Sequence, residues 1–193
     1  MIKPIELNKA YRLLNHGPVV LLSAAHEDKR DIMAVAWNMP LNFNPAQLLV
    51  VLDKSSSTRK LVEASGCFAI SIPTRSQVDV IMNVGSISAS QLPSQDKFLH
   101  WNLPVTAATN ISAPLLNGCV GWLECKLINE PHNQETYDLF IAEIVAAYAD
   151  ERVFSNGRWH FDDHNELRTV HYTAGGAFFA TGEGFNAEKA TTS

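Results

Sequence analysis

Apolar and polar positions alternate along this chain in short strand-length segments, with a few helical stretches between them. Leu7, Tyr11 and Leu14 recur at helical spacing before Gly17-Pro18, which predicts an amphipathic first helix over residues 5–15. Strands are predicted at 18–25 (PVVLLSAA), 31–38 (DIMAVAWN) and 47–53 (QLLVVLD), the first two separated by the charged turn HEDKR. Thr58 to Ser65 reads as a helix closed by Gly66, and 67–73 as a further strand. Thr74 and Gln77 match a capping box, so a helix is predicted from Arg75 to about Asn83. Residues 84–104 read as irregular and polar, and a structureless stretch of that length in a compact domain is usually functional.

The second half is strand-like. Segments 118–129 and 137–149 are long and apolar-rich, joined by a polar turn containing PHNQE. Leu123, Cys125 and Leu127 alternate with Trp122, Glu124 and Lys126, while Leu139, Ile141 and Val145 fall in phase across Glu143. Asn156-Gly157 is the clearest hairpin turn in the chain, and 181–193 is predicted as a loose tail. Many short strands with two or three helices predict a mainly β fold, a barrel with helices packed outside it. Irregular placement of the helices and the absence of GxGxxG argue against a doubly wound parallel sheet.

Composition narrows the function classes. With 193 residues, 46% of them hydrophobic, residues 1–193 are expected to form a single domain. A formal charge of -5 gives no electrostatic reason to expect nucleic acid as a partner. No apolar run approaches the roughly 20 residues that cross a bilayer, so no membrane association is expected. The N-terminus lacks the apolar core of a signal peptide, which points to the cytoplasm. Cys67, Cys119 and Cys125 form no CxxC pair and read as small buried apolar residues; with no histidine pair at ligand spacing, no metal site is expected.

Three segments carry candidate chemistry. Ser55, Ser56, Ser57 and Thr58 precede a helix whose unpaired N–H groups and dipole attract an anion, and Arg59 can grip a phosphate. The same residues also suit a simple N-cap, with Arg59 in solvent. Ala34 and Ala36 leave room for a planar ligand against the backbone, or merely face another strand or helix. Trp37 either walls such a ring or fills the core, and Asn42 and Asn44 either touch a ligand or form a turn. Lys97 can meet a phosphate or a ring edge, with Phe98 anchoring its loop, or it is simply solvated beside Asp96. Of seven scattered histidines only His171, before Tyr172 and Gly175-Gly176, has company that suggests a site, and it is the single catalytic candidate. No Ser/His/Asp triad or paired-carboxylate site is recognisable.

Five segments in this order resemble the flavin reductase-like family with the FMN-binding split barrel, including flavoredoxins. They are MAVAWNMPLNFNP, SSSTRKLVEASGCFAISIP, the DKF after a Gly-Ser loop, APLLNGCVGWLECKL and FIAEIVAAYADERVFSNGRW, spread from about Pro18 to Gly176. The resemblance implies a six-stranded antiparallel split barrel, a homodimer, and non-covalent FMN near the subunit interface. It places Ala34, Val35, Ala36, Trp37, Asn38 and Met39 along the isoalloxazine, with Asn42 nearby. It sets Ser55 to Arg59 on the phosphate, and lays Asn83, Gly85, Ser86 and Lys97 of the 83–98 loop over part of the flavin. The implied activity is an oxidoreductase that takes hydride from NADH or NADPH and passes electrons to free flavin or another acceptor. The alternative is a non-enzymatic electron carrier reduced by a redox protein partner. A split barrel holding haem ranks behind both, since no histidine stands out as an axial ligand.

Overall fold

Residues 4–14 and 16–187 are described by the computed structural model, and their order follows the strand-length apolar segments. A 3-10 helix at Leu7–Leu13 leads into β1 (Val20–His26), β2 (Lys29–Val35), β3 (Asn38–Phe43) and β4 (Ala46–Val51). Then come α1 (Ser57–Ser65), β5 (Cys67–Ile72), α2 (Val78–Ser86) and α3 (Lys97–His100). The short β6 (Val105–Thr106) and β7 (Leu115–Leu116) precede β8 (Gly121–Ile128), α4 (Pro131–Tyr137) and β9 (Leu139–Ala149). Two short hairpin strands and two longer ones end the series: β10 (Phe154–Ser155), β11 (Arg158–Trp159), β12 (Val170–Ala174) and β13 (Ala177–Ala180).

The main sheet is antiparallel throughout, in the order β2-β1-β5-β8-β9-β4-β3. Its two edge strands, β2 and β3, are neighbours in sequence, linked only by the Ala36–Trp37 bend. The sheet therefore curls round until its edges meet, and no ladder joins β2 to β3 among the described residues. This is a split barrel. Val20, Leu22, Val35, Val50, Phe68 and Phe140 fill its interior, where Val62 of α1 joins them. Ile32 and Leu21 face outward and pack with Ile81 and Val84 of α2 and Phe98 of α3. Period-two alternation along β1 and β2 thus feeds two cores, one on each side of the sheet.

Several sequence expectations hold. Gly66 ends α1 in the left-handed region at φ 67, and Asn156 and Gly157 both take positive φ between β10 and β11. The Thr74/Gln77 capping box is formed, and the chain runs from it through one 3-10 turn into α2. All three cysteines are buried and unpaired, and burial pushes the Cys119 and Cys125 thiols up to about 12.

Others need correction. The sheet has seven strands rather than six, because the chain turns at Ala36–Trp37 and MPLNF forms an edge strand of its own. The turn expected between 129 and 137 is a helix, α4, opened by Pro131 at its first position and closed by Asp138 in the left-handed region. Segment 84–104 is not structureless, since it holds the end of α2, a 3-10 turn at Ala89–Gln91 and α3. The predicted 5–15 helix is a 3-10 helix with no buried residue; Leu7 is 90% exposed. Position 15, and the tail reading beyond residue 187, lie outside the described residues; 181–187 has no regular structure.

Candidate functional site

Two features of the barrel concern the predicted residues, a polar corner at one end of β2 and a cavity at the other. Four residues of strand, about 13 Å at roughly 3.3 Å each, separate Asp31 from Val35 along β2.

The corner forms where α1 packs on the start of β2. Asp31 is 1% exposed, and its carboxylate collects four contacts. The backbone N–H of Ile32 donates at 2.8 Å, the Ser57 hydroxyl at 2.5 Å and the Thr58 hydroxyl at 2.9 Å. The Lys97 ammonium stands 3.4 Å from the other side. Lys97 reaches this position from the start of α3, through the outer core, and gives its remaining protons to the carbonyls of Ile32 (2.8 Å) and Val84 (2.9 Å). Burial pushes its ammonium below the ordinary lysine value, and Asp31 opposes that shift. The hydroxyls continue outward: Ser88 donates to Ser57 at 3.4 Å, and Ser90 lies 3.0 Å from Ser88.

Around this corner the structure gathers much of what the sequence singled out. Ser56 lies against the Met33 sulfur at 3.3 Å. Gly85 brings the last turn of α2 onto β2 so closely that a Cβ there would sit 3.1 Å from that of Ala34. Asn83, Gly85 and Ser86 are exposed on that turn, and Ala36 and Trp37 continue the same edge. The free edge of β2 is thus bordered by small residues, with hydroxyls at one end. The N–H groups of Ser57, Thr58 and Arg59 open α1 with no helical partner available to them, and none finds an acceptor outside the helix among the described residues. This donor set fits an anion.

The side chains do not serve as the sequence suggested. Arg59 is neither in solvent nor free to grip a phosphate. Its guanidinium donates to Glu63 (2.8 Å), to the carbonyls of Leu52 (3.0 Å) and Gln134 (3.0 Å), and to the Asp138 carboxylate, while lying over the Phe140 ring. The basic residue at the start of α1 is explained by this internal clamp. Lys97 is not solvated either; Asp96 instead caps α3 through the Leu99 N–H and pairs with Arg30. Phe98 does anchor the loop and is 1% exposed. Ser55 turns back to Asp53, and the Asn42 carboxamide accepts from the Phe43 N–H, as turn formers do. Ala34 faces α2, the plainer of its two readings.

The cavity, about 820 Å³, opens at the other barrel end, with Val20, Val50, Ile70 and Leu123 among its lining. Its rim includes Trp159 and Phe161, stacked at 5.6 Å, and His171. Asn38 and Met39 line it too, so the strip predicted for a ring ends at its mouth. His171 is half-buried in β12, paired with Phe179, and no residue of the Ser55–Arg59 corner lines its cavity. Asp31 and Ser88 were missed in the sequence. Ser88-Ala89-Ser90-Gln91 is a capping box legible in advance, and a carboxylate opening an apolar strand was the one available sign of Asp31.

Comparison with known proteins adds four findings. Residues 12–169 match the flavin reductase like domain. The chain is 47% identical to the FMN-binding domain of a flavin reductases-like enzyme from Shewanella baltica, with a TM-score of 0.85 over 95% of this chain and 96% of that one. Flavoredoxin of Desulfovibrio vulgaris is 28% identical, with a TM-score of 0.75 and 89% of each chain covered. The uncharacterised protein YddH of Escherichia coli is 43% identical over 93% of this chain and 95% of its own length.

Proposed function

Since the chain belongs to the flavin reductase-like family, we propose that it is an FMN-binding oxidoreductase acting as an NADH- or NADPH-dependent flavin reductase. The observation that carries this reading is the convergence of the open α1 N-terminus, the small-residue β2 edge and the exposed last turn of α2. In it, the backbone from Ala34 to Met39 borders the ring, the Ala34 side chain facing α2 and that of Val35 the barrel interior, with Asn83, Gly85 and Ser86 alongside, and the first-turn N–H groups with Ser56 receive the phosphate. Arg59 and Lys97 act through the frame, Arg59 by tying α1 to the exit of β4 and the end of α4, Lys97 by tying α3 to β2. Bound flavin supplies the chemistry, accepting hydride from a nicotinamide and passing electrons on. The protein's part is to position and to exclude water, for which no acid or base side chain is needed. The mouth of the barrel cavity, at Asn38 and Met39, offers room for a nicotinamide or an acceptor beside the ring. Residues 1–193 work as one unit, and the buried unpaired thiols accord with a cytoplasmic setting. Among the described residues no helix is long and apolar enough to cross a membrane.

A homodimer is part of the proposal. Trp37, Met39, Leu41 and Phe43 expose apolar surface along β3 and the bend before it, Phe43 at 94%, and Tyr11 of the 3-10 helix meets Trp37 edge-on at 5.7 Å. An apolar edge strand of this kind needs cover. Light scattering is expected to give twice the chain mass of 21.3 kDa, and a monomer at micromolar concentration would remove this part.

The test of function is anaerobic mixing of the FMN-loaded protein with NADH and with NADPH. Loss of the flavin's visible absorbance within seconds is expected with at least one of them. The likeness to flavoredoxin supports a second reading, an electron carrier reduced by a protein partner. No bleaching by either nucleotide, with reduction by a ferredoxin, would favour the carrier over the reductase.

A further inference from the structure

Hydroxyl groups help bind a phosphate by donating to it, and each carries one proton. In this chain the protons of Ser57 and Thr58 both point inward to Asp31, at 2.5 and 2.9 Å. Thr58 is itself fully buried, and the Ser57 oxygen accepts from Ser88, so neither hydroxyl offers a donor outward. Lys97, the cation beside them, has its three protons directed to Asp31 and to the Ile32 and Val84 carbonyls. Arg59 is bound to its own partners. The donors left to a phosphate are the first-turn N–H groups of α1 and the outer hydroxyls of Ser56 and Ser90, beside a buried pair in which Asp31 already offsets the charge of Lys97.

We propose that Asp31 is a specificity-determining residue that weakens recognition of the flavin's phosphate. The chain then selects the ring and ribityl portion, holds FMN and riboflavin with similar affinity, and lets FMN exchange. This rests on the flavin reading above and refines it: a flavin that comes and goes suits a protein that uses flavin as a diffusible substrate better than one that stores it. The carboxylate takes protons that would otherwise be available to an incoming phosphate.

Asp31→Asn tests the idea because it reverses both effects without changing shape. Its oxygen can still accept from the Ile32 N–H. Its amide nitrogen can donate to the Ser57 and Thr58 oxygens, which frees the proton of the less buried Ser57 to turn outward, and the negative charge is gone. Flavin-fluorescence titrations of wild type and variant, each with FMN and with riboflavin, provide the readout. FMN binding is expected to tighten by about tenfold or more, through charge and through one regained donor, with riboflavin changing by less than about threefold. Weaker FMN binding, or a parallel change for both flavins, would overturn the role of Asp31 and leave the flavin reading intact. Should the variant fail to fold, the wild type alone decides. Its affinities for the two flavins are expected to lie within about tenfold, and FMN binding more than about a hundredfold tighter would overturn the inference. If neither flavin binds the wild type, the flavin reading itself fails and takes this inference with it.

Discussion

Arg59→Ala is expected to lower the stability of the fold by about 2–4 kcal/mol, and to lower the melting temperature by roughly 4–16 °C. The side chain is 7% exposed and joins three elements: Glu63 one turn along α1, the Leu52 carbonyl at the exit of β4, and Gln134 with Asp138 at the end of α4. Removing it leaves two carbonyls without their donor and strips a cation from the Phe140 ring. Asp138 and Glu63 are partly exposed and can regain water, which keeps the estimate below that for a wholly buried pair. Flavin affinity, measured well below the melting transition, is expected to change by less than about threefold, because the backbone donors of α1 stay in place. The opposite pattern, an unmoved melting temperature with FMN binding weakened more than about tenfold, would return Arg59 to the phosphate.

Local chemistry made part of this molecule legible in advance. Gly66 after an amphipathic nine-residue helix, Asn156-Gly157 between strands, and Thr74 with Gln77 each specify a backbone conformation through their own side chains, so neighbours far along the chain are not needed. The alternation of Leu123, Cys125 and Leu127 against Trp122, Glu124 and Lys126 marked β8 for the same reason. Features that depend on distant partners were less legible. PHNQETY has the polarity of a turn, and only the clamp from Arg59, 75 residues away at Gln134, shows why it is held as a helix. The bend at Ala36–Trp37 lies inside an apolar run without Gly or Pro to mark it; Asn38 stabilises it by donating to the Val35 and Pro18 carbonyls.

The site divides along the same line. Its backbone elements, the small-residue strand and the hydroxyl-rich helix start, were visible in composition and order. The state of its charges was not, because Arg59, Lys97 and Asp31 each find partners between 26 and 79 residues away, as well as nearer ones. A basic residue at a helix N-terminus suggests a missing anion when read locally. Here the anions are Asp138 and Glu63 for Arg59 and Asp31 for Lys97, all supplied by the chain.

The largest loss is expected at Glu124, where replacement by Ala should cost about 3–5 kcal/mol. Glu124 is wholly buried on β8 and holds the loop between β6 and β7. One carboxylate oxygen accepts from the Thr109 N–H (2.9 Å) and the Tyr148 hydroxyl (3.3 Å), the other from the Asn110 N–H (2.6 Å) and its amide (3.1 Å). Alanine would leave two backbone N–H groups without an acceptor, each worth about 1–3 kcal/mol when cut off from water. Burial alone would push this carboxyl up, but the N–H groups of Thr109 and Asn110, with the Asn110 amide and Tyr148, outweigh it and hold it below the usual range. Because its folded-state value is depressed, its stabilisation is complete above the unfolded value of about 4.3 and drains away as pH falls through the folded one. The gap between wild type and Glu124→Gln in urea denaturation should therefore be constant from about pH 7 to 5 and narrow below about pH 4. Hydrogen exchange at the Thr109 and Asn110 amides should accelerate in the Ala variant before the rest of the sheet does. A gap that closed already near pH 6, or loop amides that exchanged only with global unfolding, would mean that Glu124 does not hold the loop as a buried carboxylate.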